Sequence, residues 1–220
     1  MQSAANKPTI AIIGGTGELG SGLVQLWSIA GYPIVIGSRS KEKAQAAARQ
    51  IGRPNVRGED NCAAARAGDV IVLSVPFCTH DAVVEEIKGE VAGKIVIDPV
   101  VPLIPPKVSV VQIPAAGSPA VLAQRAFGPA TRVVAAFHSV GAKKLQGCEK
   151  ADCDVLVFGD DTVAKDLVIA LAGAVATRGV DGGTLANSVA AEALTSVLIA
   201  INRRYKIAGA GVRITGIPQQ

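Results

Sequence analysis

Aromatic side chains make up only 3% of this chain, and charged ones only 18%. So little charge excludes a disordered polyelectrolyte. With few aromatics, the core must be assembled from Val, Ile, Leu and Ala, which fits a parallel sheet buried on both faces. The four cysteines, Cys62, Cys78, Cys148 and Cys153, include no C-x-x-C pair, and the only two histidines, His80 and His138, stand at no metal-ligand spacing from them. No metal site is expected, and the cysteines read as small buried hydrophobes. No secretory apolar segment precedes the first strand, and no apolar run reads as long enough to span a bilayer. A cytoplasmic protein with no membrane partner is the expectation. The net charge is only +4 and is scattered, which argues for a solvated surface and against a nucleic-acid partner.

What is present is an alternation. At 220 residues the chain can bury roughly 70% of its unfolded surface without staples. After a short lead expected to be disordered (residues 1–7), "TIAIIGG" reads as a buried strand. "GELGSGLVQLWSIAG" then carries a helical period that stops at Gly31. "PIVIGS", "DVIVLSVP", "KIVIDPVV" and "RVVAAFHSV" repeat the strand pattern. "SKEKAQAAARQIG", "HDAVVEEIKGEV" and "PAVLAQRAF" repeat the helical one. Strands alternating with helices predict an α/β fold, a Rossmann-type doubly wound parallel sheet. The character changes near residue 150, which divides the chain into 8–150 and a small second lobe, 151–220. That lobe opens with the strand "DVLVFGDD" and the helix "DTVAKDLVIALAG". In it, "TLANSVAAEALTSVLIAINRRYK" has a narrow polar stripe (Asn187/Ser188, Glu192, Thr195/Ser196 and Arg203) on an apolar helix. Such a helix is expected to be mostly buried. There are no internal repeats.

Within "GGTGELG", Gly15, Gly17 and Gly20 fall at G-x-G-x-x-G spacing between a strand and a helix. That context makes the loop a dinucleotide cradle. Gly15 is assigned the tight turn, Gly17 the close approach of backbone to pyrophosphate, and Gly20 the helix–strand contact. Thr16 adds a hydroxyl, and the helix N-terminus supplies free amides and partial positive charge. At the end of the second strand, "VIGSRSKEK" has Ser38 and Arg39 where an NAD site places a carboxylate. A hydroxyl and a planar cation, with Lys43 reaching back from the next helix, suit a ribose 2′-phosphate. The cofactor expected is NADP(H).

Ligands of such folds lie beyond the carboxyl ends of the strands. The wall facing the nicotinamide is therefore expected from Ser74, Val75, Pro76 and Phe77, from Val100, Val101 and Pro102, and from His138 and Ala142. It is apolar and nearly free of titratable groups. His138 is the acid–base or positioning candidate, with His80 a weaker second, and no catalytic residue is assigned. His80 reads as a surface residue at a helix start. Such a pocket suits hydride transfer between two flat rings, which needs alignment more than protein acid–base groups.

The segments "IAIIGGTGELGSGL", "VIGSRSKEKA", "VPF", "DPVVP", "AFHSVGA", "VFGDD" and "GGTLANSVAAEALTSVLIAIN", in that order, resemble the F420-dependent NADP reductase family. The likeness runs from about residue 8 to about residue 215. It implies a Rossmann domain with a small helical C-terminal lobe, paired as a homodimer. It also implies hydride transfer between NADP(H) and the 5-deazaflavin coenzyme F-420. By resemblance, Thr16, Gly17, Glu18 and Leu19 hold NADP together with Ser38, Arg39 and Lys43, and Val75 and Ala142 lie near the nicotinamide. His138 matches the histidine beside the deazaflavin. The tail "AGAGVRI" matches a segment closing over that ring, which puts Val212 in contact with it. The sequence departs from the pattern at Gly141, in "GSPAVLAQRA" and at Cys78–Thr79, all on the acceptor side. An NADPH-dependent reductase of another ring, such as a flavin or pterin, and a non-catalytic NADPH-binding protein are the alternatives.

Overall fold

The computed structural model describes residues 7–217. The expected disordered lead lies outside the described residues except for Lys7. That residue is anchored: its ammonium donates to the Ala30 carbonyl and sits 5.0 Å from the Tyr32 ring centre.

Eight strands form one sheet. They are β1 (Ile10–Ile13), β2 (Ile34–Ser38), β3 (Val56–Asp60), β4 (Val70–Leu73), β5 (Ile95–Asp98), β6 (Arg132–Ala135), β7 (Ala151–Gly159) and β8 (Ala176–Asp181). Their order is β3-β2-β1-β4-β5-β6-β7-β8. β1 to β6 are parallel, β7 runs antiparallel to β6, and β8 is parallel to β7. The helices are α1 (Glu18–Ile29), α2 (Lys41–Ile51), α3 (Asn61–Ala67), α4 (Phe77–Ile87), α5 (Pro119–Phe127), α6 (Ala142–Leu145), α7 (Thr162–Gly173) and α8 (Ser188–Tyr205).

The central strands are apolar throughout because helices cover both faces. Every residue of β1 is fully buried, in register with β2 on one side and β4 on the other (Ile12 opposite both Ile36 and Val72). One core layer is keyed by Trp27. Its indole donates to the Leu171 carbonyl at 2.9 Å, and its ring meets Phe137 edge-on, with centroids 5.6 Å apart. The chain leaves β1 towards β2 and later returns to β4 on the other side. The topological switch, where such sheets bind ligands, is the pair of loops after β1 and β4.

Four expectations are corrected. Residues after 150 continue the same sheet through β7 and β8, although "ATRGVD" (β8) carries no clear strand pattern. It pairs because Gly179 lets the strand lie flat on α7, where a Cβ would come within 2.8 Å of Ile169 Cα. The middle of the polar stripe faces inward, with Ser188, Glu192 and Ser196 buried, while Asn187 and Arg203 at its ends are exposed and Val197 is 42% exposed. This helix, taken from Leu185, is long and apolar enough to cross a membrane by composition (mean hydropathy 1.4), yet only 33% of it is buried, less than expected. Its stripe instead hydrogen-bonds into the sheet-bearing fold. Third, of the cysteines only Cys153 is buried; Cys78 and Cys148 are exposed. His80 is the fourth: it is buried at 1% exposure, not a surface residue.

Candidate functional site

At the end of β1 the chain must turn sharply beneath the β4 loop. The turn is made by Gly14, with φ of +76°, rather than by Gly15 as the motif suggests. A Cβ on Gly14 would lie 2.2 Å from the Ser74 carbonyl oxygen, so only glycine fits. Gly20 permits the helix–strand approach, since its Cβ would meet Gly14 O and Gly15 Cα, each at 2.7 Å. Gly17 is the N-cap of α1 and is exposed with Thr16 and Glu18, whereas Leu19 is half-buried. Gly17 N turns back onto Gly14 O at 2.9 Å, and within α1 the Ser21 amide bonds back to Gly17 O at 2.9 Å. The amides of Glu18, Leu19 and Gly20 thus belong to the open first turn, where an anion is favoured.

The end of β2 is bonded to this loop: Gly14 N and Gly15 N both donate to Gly37 O, at 3.0 and 3.3 Å. Ser38 therefore sits beside the glycine turn, and Arg39 follows it, exposed and without a protein partner among the described residues. Neighbouring carboxylates are already occupied. Glu59 pairs with Lys41 at 2.7 Å, and Asp60 caps α3 by accepting from Ala63 N at 2.8 Å. Ser40 caps α2 by accepting from Lys43 N at 3.3 Å, and the Lys43 side chain is exposed in the first turn of that helix. An uncommitted guanidinium beside a glycine cradle fits a 2′-phosphorylated dinucleotide and would not suit a bare ribose.

Beyond β4, Ser74 and Val75 are half-buried, Pro76 is exposed as the N-cap of α4, and Phe77 opens that helix. Beyond β5, Val100 is 3% exposed, Pro102 is buried and Val101 is half-buried. Ala142 begins α6, which is tied to the glycine loop. Gln146 Nε2 donates to Glu18 O at 2.7 Å and to Ser21 Oγ at 3.1 Å, and Leu145 packs where Gly22 has no side chain. No local pattern in the sequence signals that tie. Val212 is placed differently from the strand-end residues. It lies on the tail beside β7, where Asp154 N donates to its carbonyl at 2.7 Å.

His138 follows β6 and is 5% exposed. Phe137 before it has φ of +70°, a conformation costly for a bulky residue, of order 1–3 kcal/mol. The strain turns Phe137 into the core against Trp27. Both ring nitrogens of His138 are buried without a hydrogen-bond partner among the described residues. Burial holds the imidazole neutral, lowering its pKa to about 4 against the weaker pull of Asp98. A buried polar ring with no protein partner is fitted to a polar atom of a ligand.

Sequence reasoning missed the pair beside it. Asp98, fully buried at the end of β5, accepts from Val100 N at 3.0 Å and is 2.8 Å from His80 Nε2. Burial alone would lower the His80 pKa, but the bond to Asp98 and its charge outweigh that and hold it above the ordinary value. "D-P-V-V-P" is therefore a turn ordered by its own first carboxylate.

His138 makes stability pH-dependent. Between pH 6.5 and 4 the unfolded chain takes up a proton that the folded ring refuses, so stability falls as pH falls through that window. The contribution is roughly 3 kcal/mol. Glu192, whose pKa is raised by burial, acts in the opposite direction. The difference between wild type and His138→Asn is therefore the clean measure. Urea unfolding across this window is expected to show a wild-type acid loss that the variant lacks; parallel curves would contradict the neutral buried ring.

Residues 9–102 match the family model described as "NADP oxidoreductase coenzyme F420-dependent". The chain is 38% identical to the F420-dependent NADP reductase of Methanocaldococcus jannaschii, over 94% of this chain and 98% of the relative. It is 37% identical to that of Methanothermobacter thermautotrophicus, over 96% of each. Among solved structures, that of a putative F420-dependent NADP-reductase from Arthrobacter superposes with a TM-score of 0.78 at 23% identity, covering 94% of this chain and 99% of that one. An imine reductase from Myxococcus stipitatus shares the fold at a TM-score of 0.63 and 19% identity, with 91% and 62% covered. With 38% and 37% identity over nearly the full length of both chains and a matching family model, the chain belongs to the coenzyme F420-dependent NADP oxidoreductase family.

Proposed function

We propose that this protein is an NADP-dependent oxidoreductase that moves a hydride between NADP(H) and the deazaflavin coenzyme F-420. The observation that carries the reading is likeness over both halves: relatives named F420-dependent NADP reductase match 94% and 96% of the chain, acceptor-side segments included. In this reading the first-turn amides of α1 receive the pyrophosphate, and Ser38, Arg39 and Lys43 receive the 2′-phosphate. Ser74, Val75, Pro76 and Ala142 wall the nicotinamide. Phe77, Val100, Val101, Pro102, His138 and Val212 form the acceptor side. The nicotinamide supplies the hydride chemistry when bound. The chain's own residues hold two rings in register and exclude water, the arrangement direct hydride transfer demands.

Residues 8–150 act as the NADP-binding part, and 151–220 as the part that closes the acceptor side. The exposed apolar side chains of α8 and the tail (Val197, Tyr205, Ile207), with Val110 and Ile113 of the loop that Arg203 bonds through Ser109, support a homodimer. Four free thiols, two of them exposed, suit a reducing cytoplasm.

Anaerobic titration of the protein with NADPH and coenzyme F-420 is expected to bleach the deazaflavin's visible absorption catalytically. Reduction of a flavin or pterin instead would move the acceptor assignment. NADPH binding without turnover of any ring would leave a binding protein.

A further inference from the structure

Four ionisable side chains are buried around the carboxyl ends of β5 and β6, and their bonding leaves one able to exchange a proton. Both oxygens of Asp98 are taken, by Val100 N and His80 Nε2, and both nitrogens of His80 are taken, by Asp98 and Asp81. His138 stays neutral down to about 4, so it brings no proton of its own near neutrality. Glu192, on the inward stripe of α8, is 1% exposed. Its Oε1 accepts from Ser118 Oγ at 2.5 Å and from Ser188 Oγ at 3.0 Å. Its Oε2 is buried with no partner among the described residues. Three residues on, Thr195 Oγ1 donates to the His138 carbonyl at 3.0 Å, so this face of α8 lies on the segment that carries His138.

The proposed reaction has a proton to place. Reducing a deazaflavin adds a hydride at a ring carbon and a proton at a ring nitrogen; oxidising it returns both. In a pocket that excludes water the proton needs a protein group. We propose that Glu192 is the proton-exchanging residue of the acceptor site. In the reducing direction its Oε2–H bond breaks, an N–H bond forms on the acceptor ring, and the bonding pair stays on the carboxylate. The Ser118 and Ser188 hydroxyls stabilise that carboxylate until it regains a proton from solvent. The oxidising direction is the reverse. This rests on the function proposed above.

The surrounding groups support the role from each element that faces it. Burial raises the Glu192 pKa, the Ser118 bond from the start of α5 and the Ser188 bond from α8 lower it, the Asp98 charge from β5 raises it, and His80 from α4 lowers it. The net effect is a carboxyl with its pKa raised above the ordinary value, so it holds its proton further as pH rises. Two hydroxyls on one oxygen and none on the other is what a carboxyl with a donor reserved for a ligand would show.

Infrared titration of the ligand-free protein is expected to show a protonated-carboxyl band persisting above the ordinary carboxylate range, and Glu192→Gln, whose amide oxygen can still accept from both serines, is expected to remove it. With NADPH and coenzyme F-420, Glu192→Gln should lower kcat by about 100-fold and abolish the pH limb, while the Kd for NADPH stays within about twofold. Glu192→Asp should restore a limb in part. A band that survives Glu192→Gln, or a variant with wild-type kcat and pH profile, overturns the proposal. Ser118→Ala gives an independent check: it removes a donor to the ionised form, so the band should persist to higher pH, and an unmoved band also overturns it. If wild type fails to bleach the deazaflavin, the function proposed above fails, and the infrared result still tests the buried proton by itself.

Discussion

Arg39→Asp is expected to reverse the preference of this protein between NADPH and NADH. The end of β2 is fixed by the bonds of Gly14 and Gly15 to Gly37 O, so residue 39 cannot drift from the glycine cradle. Lys41 is committed to Glu59, which leaves Arg39 as the planar cation beside Ser38. Losing a charge-assisted hydrogen bond to a phosphate costs roughly 1.5–3 kcal/mol, and a carboxylate adds repulsion of similar size. Together these predict a fall of about 100- to 10,000-fold in the ratio of kcat/KM for NADPH over NADH. Part of the effect should fade at high salt because the side chain is exposed. Thermal stability should be unchanged, since the guanidinium has no protein partner among the described residues. An unchanged ratio would remove the 2′-phosphate site from Ser38 and Arg39.

The second large effect is expected at the opposite end of the sheet. Asp154, 1% exposed in its side chain, accepts from Arg178 Nε at 3.1 Å, Arg178 Nη2 at 3.2 Å and Ile214 N at 2.7 Å. Arg178 Nη2 also donates to Ile214 O at 2.9 Å, so one ion pair clasps the tail through both its amide and its carbonyl. Burial opposes the charge on Asp154, and the bonds from Arg178 and Ile214 outweigh it, holding its pKa below the ordinary value. The clasp is therefore fully present above the ordinary aspartate range and lost as pH falls through the lowered value. Asp154→Ala leaves a guanidinium and an amide without their acceptor. Removing one partner of a buried pair costs about 3–5 kcal/mol, and the partial exposure of Arg178 brings the expectation to about 2–4 kcal/mol. Freed from Asp154, the tail that carries Val212 should lose protease protection, and the acceptor KM should rise about tenfold with NADPH affinity unchanged. A tail that loses protection while the acceptor KM is unaltered would show that Val212 does not serve the acceptor, and a tail that stays protected would contradict the clasp.

Local signals made the NADP half legible. A glycine loop after a strand, a helix N-terminus and an uncharged-then-cationic end of β2 are contiguous in sequence, and each acts through backbone geometry that neighbouring residues set. Even there the motif misplaced one role. The spacing assigns the tight turn to Gly15, whereas the positive φ falls at Gly14, because the obstacle is the Ser74 carbonyl from a strand more than 50 residues away.

The acceptor half was less legible, because its chemistry is assembled across the chain. His80 looks like any polar residue near a helix start, and it is buried only because β5 brings Asp98 to it. The β8 sequence has no strong strand pattern, yet it pairs because β7 offers an edge and Gly179 lets α7 approach. The polar stripe of α8 could be read from its period, but not the direction it faces.

By itself, then, the sequence determined the alternation of strands and helices and the strand–glycine loop–helix unit, and it pointed to the end of β2 as the proposed 2′-phosphate site, since all of these follow from periodicity and adjacent residues. Only the tertiary structure decided which way Glu192 points, which partner buries His80, and what holds the tail over β7. Each of those depends on free energy shared between residues far apart in the chain, and a one-dimensional pattern does not record which distant group will be there to accept a bond.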